Sequence, residues 1–269
     1  MRIPTVSIIL PTYNGKTKRL SQSIDSVLAQ TYQYRELIII NDASTNDIEK
    51  TILEYVPRDK RIKYYKNKEN LKLTKTLNIW IQYSEWSYIA RIDDDDIWCD
   101  PKKLEKQVQC MEDNKEFWLC GTCGYIIDED DQIRESFIQR QHDNDIRKHL
   151  LASNQFAHCS VLIRRSAIEK LWMYHPQYNL VEDYELWLRI WVEYKLYNLP
   201  DKAVYYRINT CSVSSKNYRK QLILNMQVMR LYRSQYPNFY VAFLKNIVYF
   251  VLPKKLSLYF LKIYKNLFH

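Results

Sequence analysis

The sequence predicts an α/β fold in which a mainly parallel β-sheet is covered by helices on both faces. Apolar runs bounded by turn residues recur along the chain, and stretches with helical spacing lie between them. Such alternation is typical of a parallel sheet built from strand–helix–strand units. The chain has 269 residues, of which 46% are hydrophobic, so it can form a substantial core.

Four apolar runs in the first part of the chain predict strands, because each is short and ends at polar or turn residues. They are residues 5–10, 36–40, 61–65 and 87–92. Between them, apolar residues at helical spacing predict two helices. These residues are Leu20, Ile24, Val27 and Leu28 in one helix and Leu73, Leu77 and Ile81 in the other.

The pattern becomes mixed after residue 100. Pro101 begins a predicted helix that continues to Met111. Cys120 and Cys123 have no second pair at zinc-finger spacing, so we expect them to be strand residues. The remaining predicted elements are strands at 118–127, 158–163 and 203–208 and a helix at 182–193.

The charge and cysteine content restrict the partners and the compartment. The chain has 40 Lys and Arg against 31 Asp and Glu, a net charge of +9, which suits nucleic acid, a phosphorylated small molecule or an acidic membrane surface. The basic residues are dispersed except at the C-terminus, so we expect no nucleic-acid partner. Six cysteines without a signal-peptide pattern predict free thiols and a cytoplasmic location.

Residues 216–269 have a different character from the rest. Their apolar runs are interrupted by lysines and are shorter than the roughly 20 residues of a membrane-spanning helix. We expect an amphipathic helical extension, and three arrangements remain open: peripheral contact with an anionic membrane, packing on the domain, or contact with a second subunit in a homo-oligomer. The lysines of the last part are Lys245, Lys254, Lys255, Lys262 and Lys265.

Polar segments follow three of the predicted strands, at residues 11–14, 41–47 and 93–96. The carboxyl ends of parallel strands meet at one edge of a sheet, where α/β proteins bind ligands. In an extended segment Asp93 and Asp95 point to the same side, and two carboxylates there suit Mg²⁺ or Mn²⁺ with a nucleoside diphosphate. A solvated loop is the alternative interpretation.

Two further acidic segments are interpreted from their surroundings. Residues 128–131, DEDD, lie between two short apolar pieces, so a hairpin turn without metal is predicted. The segment LVEDYELWLRIW at 180–191 begins a helix with paired acids. Acids in a first turn are favoured by the helix dipole alone, but a second carboxylate site also suits a general base.

Seven segments in this order resemble the inverting family 2 glycosyltransferases, which have the GT-A fold. They are VSIILPTYN, ELIIINDASTND, ENLKLTKTLN, YIARIDDDD, SVLIRRS, EDYELWLR and YRINTCSVS. The resemblance covers roughly residues 5–215. It implies a GT-A catalytic domain at 1–215, followed by the extension at 216–269.

The resemblance also implies roles for individual residues. Asp93, Asp94 and Asp95 match the DXD motif, with Asp95 as the principal metal ligand and Asp93 beside it, and Asp183 matches the catalytic base, with Glu182 as its neighbour. Arg207 and Ser214 match a segment that closes over the diphosphate. The positions that match the nucleoside pocket are Pro11, Thr12, Tyr13, Asn14 and Asp42, with Asp93 also holding the nucleoside.

Two departures concern the donor side. Lys72 and Trp80 stand where many members have glycine, which puts the identity of the donor in question. His158 is a candidate for sugar contact or for a buried structural histidine.

The resemblance thus implies a metal-dependent inverting transferase with Mn²⁺ or Mg²⁺. It would move sugar from a nucleotide donor, UDP-sugar favoured, to a saccharide, lipid-linked in bacterial surface-polysaccharide assembly. One alternative is a sugar-nucleotide nucleotidyltransferase, although PTYNGKTKRL is not a Gly-rich phosphate loop. The other is a non-enzymatic basic protein that binds nucleic acid or membrane.

Overall fold

The computed structural model describes residues 3–84, 86–208, 216–253 and 256. The strands are β1 Val6–Thr12, β2 Arg35–Asn41, β3 Ile62–Lys66, β4 Tyr88–Arg91, β5 Ile97–Trp98, β6 Phe117–Ile127, β7 Ile133–Phe137, β8 Leu162–Arg164 and β9 Lys195–Arg207. The helices are α1 Thr17–Leu28, α2 Ile48–Tyr55, α3 Leu73–Tyr83, α4 Lys103–Asp113, α5 Asp143–His149, α6 Arg165–Lys170, α7 Glu182–Glu193, α8 Tyr218–Leu231 and α9 Phe239–Val251.

Within the described ranges, nine strands form one sheet in the order β3-β2-β1-β4-β8-β6-β9-β5, with β7 paired to β6. The β3, β2, β1 and β4 strands are parallel to one another, and β6 is parallel to β9. Antiparallel pairing joins β4 to β8 and β8 to β6. The predicted α/β architecture is confirmed, and its parallel half carries the polar segments that follow β1, β2 and β4.

Helices cover both faces of the sheet, as the alternation of strand residues requires. Ile8 and Leu10 of β1 pack in one buried cluster with α1, α2 and α4. Ile9, between them in sequence, packs in the other cluster with α3, α6 and α7. Each face of the sheet is therefore buried by its own layer of helices.

Two predicted strands have different bounds in the structure. Residues 158–160 form a short 3-10 turn rather than a strand, and only Leu162–Arg164 pair with β4. A hydrogen bond from the Ser160 hydroxyl to the Ala157 carbonyl, 2.8 Å, stabilises this turn. β9 begins at Lys195 rather than near 203. Its middle contains polar residues, which hid the strand in the sequence, and its register with β6 is irregular there.

The C-terminal helices α8 and α9 pack on the domain through their inner faces. Val228, Met229 and Ala242 are buried in the same cluster as α7. Packing on the domain, one of the three arrangements considered for this segment, therefore holds for the inner face of both helices. Among the residues the structure describes, no helix is both long and apolar enough to cross a bilayer.

Candidate active site

The end of β1 is fixed to the aspartate run by a side-chain hydrogen bond. The Thr12 hydroxyl donates to Oδ2 of Asp94, and both groups lie beside Gly15. A Cβ atom at Gly15 would collide with the Asp94 carboxylate and lie 2.9 Å from Oγ1 of Thr12. Gly15 was not predicted as a site residue, although a glycine directly after a polar strand end is a sequence signal for close backbone approach.

The first polar segment, residues 11–14, has two buried and two exposed residues. Pro11 and Thr12 are buried, whereas Tyr13 and Asn14 are exposed at the edge of the sheet. Asn14 has a positive φ of 52°, and its side-chain oxygen accepts a hydrogen bond from the Thr45 amide at 2.8 Å. This contact joins the loop after β1 to the loop after β2, as expected for two strand ends that form one wall.

Asp42 organises the loop that leads into α3. Its Oδ1 accepts hydrogen bonds from the Asn67 side chain at 2.7 Å and the Leu71 amide at 2.9 Å, and its Oδ2 accepts one from the Lys72 amide at 3.0 Å. Lys72, the position of the expected glycine, has a positive φ of 69°. A strained backbone is thus retained there with a bulky residue, and Lys72 Nζ lies 5.9 Å from the centre of the Tyr13 ring.

The four aspartates have four different environments. Asp93 is ion-paired with Arg91, and Asp94 accepts the Thr12 hydroxyl. Asp96 is buried, and its carboxylate accepts the Arg207 amide at 2.8 Å. The side-chain oxygens of Asp95 have no hydrogen-bond or ion-pair partner among the described residues, since only its backbone carbonyl is engaged.

Burial and mutual repulsion raise the pKa of three of these carboxyl groups. Burial raises the pKa of Asp94 to about 7, against the hydrogen bond from Thr12. Burial and the charge of Asp93 raise the pKa of Asp95 to about 6. For Asp96 the same two causes, together with Asp95, place the pKa well above its usual range. A cation bound to these carboxylates would reduce their mutual repulsion and favour their ionised forms.

Arg207, at the end of β9, donates hydrogen bonds to backbone carbonyls of both acidic runs. Its Nε donates to the Asp95 carbonyl and one terminal nitrogen to the Asp128 carbonyl, both at 2.8 Å. The same terminal nitrogen is 2.6 Å from Oδ1 of Asp131. The guanidinium is thus engaged within the protein, and its contact with a donor stays a prediction. Ser214 lies outside the described residues.

The second acidic run forms the predicted hairpin turn, between β6 and β7. Its side chains contact cations at the start of α1, an arrangement that the sequence did not reveal. Glu129 pairs with Lys16 at 3.5 Å and Arg19 at 3.4 Å, and Asp131 pairs with Lys18 at 3.2 Å. These contacts fix the turn against the helix that follows the β1 loop.

Hydrogen bonds orient both carboxyl groups of the acidic pair at the start of α7. Asn154 donates to Oδ2 of Asp183 at 2.8 Å, and the Leu180 amide donates to Glu182 at 2.7 Å. Burial raises the pKa of Asp183, and burial together with Asp183 raises the pKa of Glu182 to about 7. Asn154 was not predicted, because it lies in a loop and no local pattern connects it with α7.

Arg91 and Tyr174 are electrostatically linked to both carboxylate groups. Burial alone would lower the pKa of Arg91, but Asp93 and Glu182 are among the groups that raise it. Burial raises the pKa of Tyr174, and Asp183, Glu182 and Asp93 raise it further. The aspartate run after β4 and the acidic pair of α7 therefore face a common region. A charged residue inside the apolar run YIARI was the sequence signal for Arg91.

His158 is a buried structural histidine in this arrangement. Its Nε2 lies 2.8 Å from the Tyr174 hydroxyl, and its ring packs edge-on against Trp187. Burial and the charge of Arg91 place the pKa of His158 well below its usual range. The imidazole is therefore neutral and positions Tyr174.

The residues of this site fit a divalent cation that arrives with a nucleotide. Nowhere in the described ranges do three His, Cys, Asp or Glu side chains form a ready-made metal cluster. Mg²⁺ bound with phosphates needs only one or two protein carboxylates, because phosphate oxygens and waters complete its shell. Asp95 offers an unpartnered carboxylate, and Asp93 has a second oxygen besides the one paired with Arg91.

The same chain matches a known family and several known proteins. The model of glycosyl transferase family 2 matches residues 7–172. The chain is 30% identical over 230 residues to an uncharacterised glycosyltransferase of Methanocaldococcus jannaschii, covering 84% of this chain and 79% of the relative. It is 35% identical over 216 residues to the O-antigen biosynthesis glycosyltransferase WbnJ of Escherichia coli, covering 79% and 83%.

Further similarity is found to an amylovoran biosynthesis glycosyltransferase and to solved structures. Identity to the amylovoran biosynthesis glycosyltransferase AmsE of Erwinia amylovora is 29% over 261 residues, 91% of either chain. Residues 1–349 of TarS from S. aureus in complex with UDP superpose with a TM-score of 0.64 at 15% identity, covering 84% of this chain and 65% of that one. The mannosyltransferase PcManGT of Pyrobaculum calidifontis, in complex with GDP-Man and Mn²⁺, gives a TM-score of 0.68 at 16% identity, covering 95% and 72%. The GT-A fold expected from the sequence is confirmed by these structures.

Proposed function

The chain belongs to glycosyl transferase family 2, and from this premise we propose that it is an inverting, metal-dependent glycosyltransferase. The donor in this proposal is a nucleoside diphosphate sugar, with a UDP-sugar favoured, and the acceptor is a hydroxyl of a lipid-linked saccharide. Relatives named for amylovoran and O-antigen biosynthesis support a role in surface polysaccharide assembly. Family membership favours glycosyl transfer over the nucleotidyl transfer considered above.

The observation that carries the proposal is the common region faced by two carboxylate groups. Arg91 and Tyr174 interact electrostatically with Asp93 on the sheet side and with Glu182 on the α7 side. A transfer reaction needs one group of residues for the leaving diphosphate and a separate base for the incoming hydroxyl. In this proposal the carboxylates after β4 serve the leaving diphosphate, and those of α7 serve the incoming hydroxyl.

On the donor side, the loops after β1 and β2 would bind the nucleoside. Asp42 is held rigidly by three donors, and Asn14 is fixed to the neighbouring loop. Asp95, with Asp93 beside it, would hold Mn²⁺ or Mg²⁺. When bound, the cation supplies positive charge that stabilises the departing diphosphate.

On the acceptor side, Asp183 would act as the general base. Its Oδ2 accepts a hydrogen bond from Asn154, which fixes the orientation of the carboxyl group. The acceptor oxygen loses its proton to Asp183 and bonds to the anomeric carbon while the bond from that carbon to the diphosphate oxygen breaks. Attack from the side opposite the leaving group inverts the configuration. The raised pKa of Asp183 makes it a better proton acceptor than an exposed aspartate.

Calorimetric titration with UDP, GDP and dTDP, each with Mn²⁺ and with EDTA, tests the donor side. We expect one nucleotide to bind in a metal-dependent manner and Asp95→Ala to abolish that binding. Asp130→Ala is the matched control, since Asp130 is an exposed aspartate of the second acidic run. If none of the nucleotides binds with or without metal, the proposed donor class is wrong.

A further inference from the structure

The net positive charge of this protein comes from its C-terminal segment. Residues 216–269 contain ten Lys and Arg and no Asp or Glu. Residues 1–215 contain 30 Lys and Arg against 31 Asp and Glu, so they are close to neutral overall. The whole excess of cations therefore belongs to one segment, which needs an explanation other than solubility.

The outer face of α9 is apolar and exposed. The inner face, with Ala242, Asn246 and Tyr249, is buried against the domain. The opposite side carries a continuous stripe of large apolar residues with helical spacing, an arrangement that monomeric soluble proteins rarely expose. This outer face consists of Tyr240 (85% exposed), Val241 (65%), Leu244 (61%), Ile247 (38%), Val248 (44%), Phe250 (36%) and Val251 (73%).

Exposed cations lie in or just after α8, the helix that packs against α9. Arg219 and Lys220 lie in α8, and Arg230 and Arg233 lie at its end. The segment contains no acidic residue, and within the described ranges none of these four cations forms an ion pair with a carboxylate of the domain. The Arg230 guanidinium lies 4.8 Å from the centre of the Phe243 ring, so this charge is held directly beside α9.

We propose that the outer face of α9 docks on an anionic lipid surface. Apolar side chains of an amphipathic helix enter the boundary between headgroups and acyl chains, and nearby cations bind the lipid phosphates. A second copy of the chain is a poorer occupant. A two-fold interface would bring the same uncompensated cations of both subunits together, and like charges at an interface oppose association.

The docking face is rigidly connected to the helix that carries the candidate base. The Tyr232 hydroxyl donates to Glu185 of α7 at 2.7 Å, and the Tyr236 hydroxyl donates to the Leu188 carbonyl at 2.7 Å. Gln221 of α8 donates to the Leu180 carbonyl, just before α7, at 3.1 Å. If the acceptor is lipid-linked, as the proposed function has it, docking would hold the base at a fixed height above the bilayer. The docking itself does not depend on the reaction.

Co-sedimentation of the full chain with vesicles tests the proposal without measuring activity. The vesicles are pure phosphatidylcholine in one arm and phosphatidylcholine mixed with phosphatidylglycerol in the other. We expect binding to the anionic vesicles only, weakened by added salt. The double variant Leu244→Glu/Val248→Glu should lower the partition coefficient by more than about tenfold, because it places two anions in the apolar face.

A matched control separates this face from general surface effects. Leu53→Glu alters an equally exposed leucine of α2, and vesicle binding should be unchanged. Sedimentation velocity and thermal unfolding of the same variants identify other occupants. No binding of the natural chain to anionic vesicles, or equal binding by the double variant, would overturn the proposal. A dimer dissociated by the double variant would assign the face to a second copy, and a lowered Tm would assign it to the protein's own interior.

Discussion

Asn154 donates a hydrogen bond of 2.8 Å to Oδ2 of Asp183, across 29 residues of sequence. This bond stabilises the ionised carboxylate and lowers the pKa that burial raises. It also fixes the orientation of the carboxyl group at the start of α7. Asn154 is therefore a positioning residue for the proposed base.

Replacing Asn154 by Ala should lower kcat about tenfold and leave donor affinity unchanged. The pKa of Asp183 should rise when the hydrogen bond is lost, so the acidic limb of the pH–rate profile should move to higher pH. Asn114→Ala removes a comparable side-chain bond at the end of α4 and serves as the control. A lower kcat with an unmoved acidic limb would show that Asn154 has only a structural role.

Gly15→Ala should disrupt the wall between β1 and the aspartate run. The new Cβ would collide with the Asp94 carboxylate and break its bond with Thr12. We expect metal-dependent nucleotide binding to weaken by more than about tenfold, with a loss of about 1 kcal/mol or more in unfolding free energy. Thr12→Val removes the same bond without the collision and should show a smaller loss. If Gly15→Ala binds the nucleotide with unchanged affinity, Asp94 does not contribute to donor binding.

Glu182→Gln should make the protein more stable at alkaline pH. Burial and Asp183 raise the pKa of Glu182 to about 7, above its usual 4.5. The folded state therefore holds this proton more tightly than the unfolded state, and the resulting stability is lost as pH rises from 4.5 through about 7. The glutamine of the variant cannot lose a proton in this range. The difference in unfolding free energy between the variant and the natural chain should therefore grow to about 3 kcal/mol at most between pH 5 and 8. Chemical denaturation at several pH values measures it, and an advantage that is independent of pH would contradict the assignment.

Lys103 gives the opposite pH dependence. Its side chain is fully buried, with Nζ 2.8 Å from Oε1 of Gln107 and 4.0 Å from the centre of the Trp98 ring. Burial lowers its pKa to about 7, so between pH 7 and its usual 10.5 the unfolded state binds the extra proton and stability rises with pH.

Lys103→Met should remove this rise and stabilise the protein at neutral pH, since no buried ammonium must then lose its proton or its hydration. Unfolding free energies measured across this range provide the test. The neighbouring exposed Lys102→Met is the control and should keep the natural profile. If Lys103→Met shows the same pH dependence as the natural chain, the buried amine is not the source.

Elements with local sequence patterns were predicted, whereas contacts between residues far apart in the sequence were not. The apolar run at 5–10 became β1, because burial on both faces requires a continuous apolar strand. The run at 158–163 is a strand only from Leu162 onward, since its first residues make a turn stabilised by Ser160. Asp183 was singled out as the base through the resemblance, and this role stays a prediction. Its partner Asn154 was missed, because only the folded chain brings that loop to α7.

In the proposed mechanism the carboxylates after β4 bind the metal and the donor, whereas Asp183 of α7 accepts the proton. The Asp183→Asn variant separates these two roles. One preparation of this variant is measured twice, for transfer of sugar and for calorimetric binding of the donor nucleotide with Mn²⁺. Transfer should fall about 10²- to 10⁴-fold while metal-dependent donor binding is retained. Loss of donor binding together with transfer, or transfer at the natural rate, would contradict this mechanism.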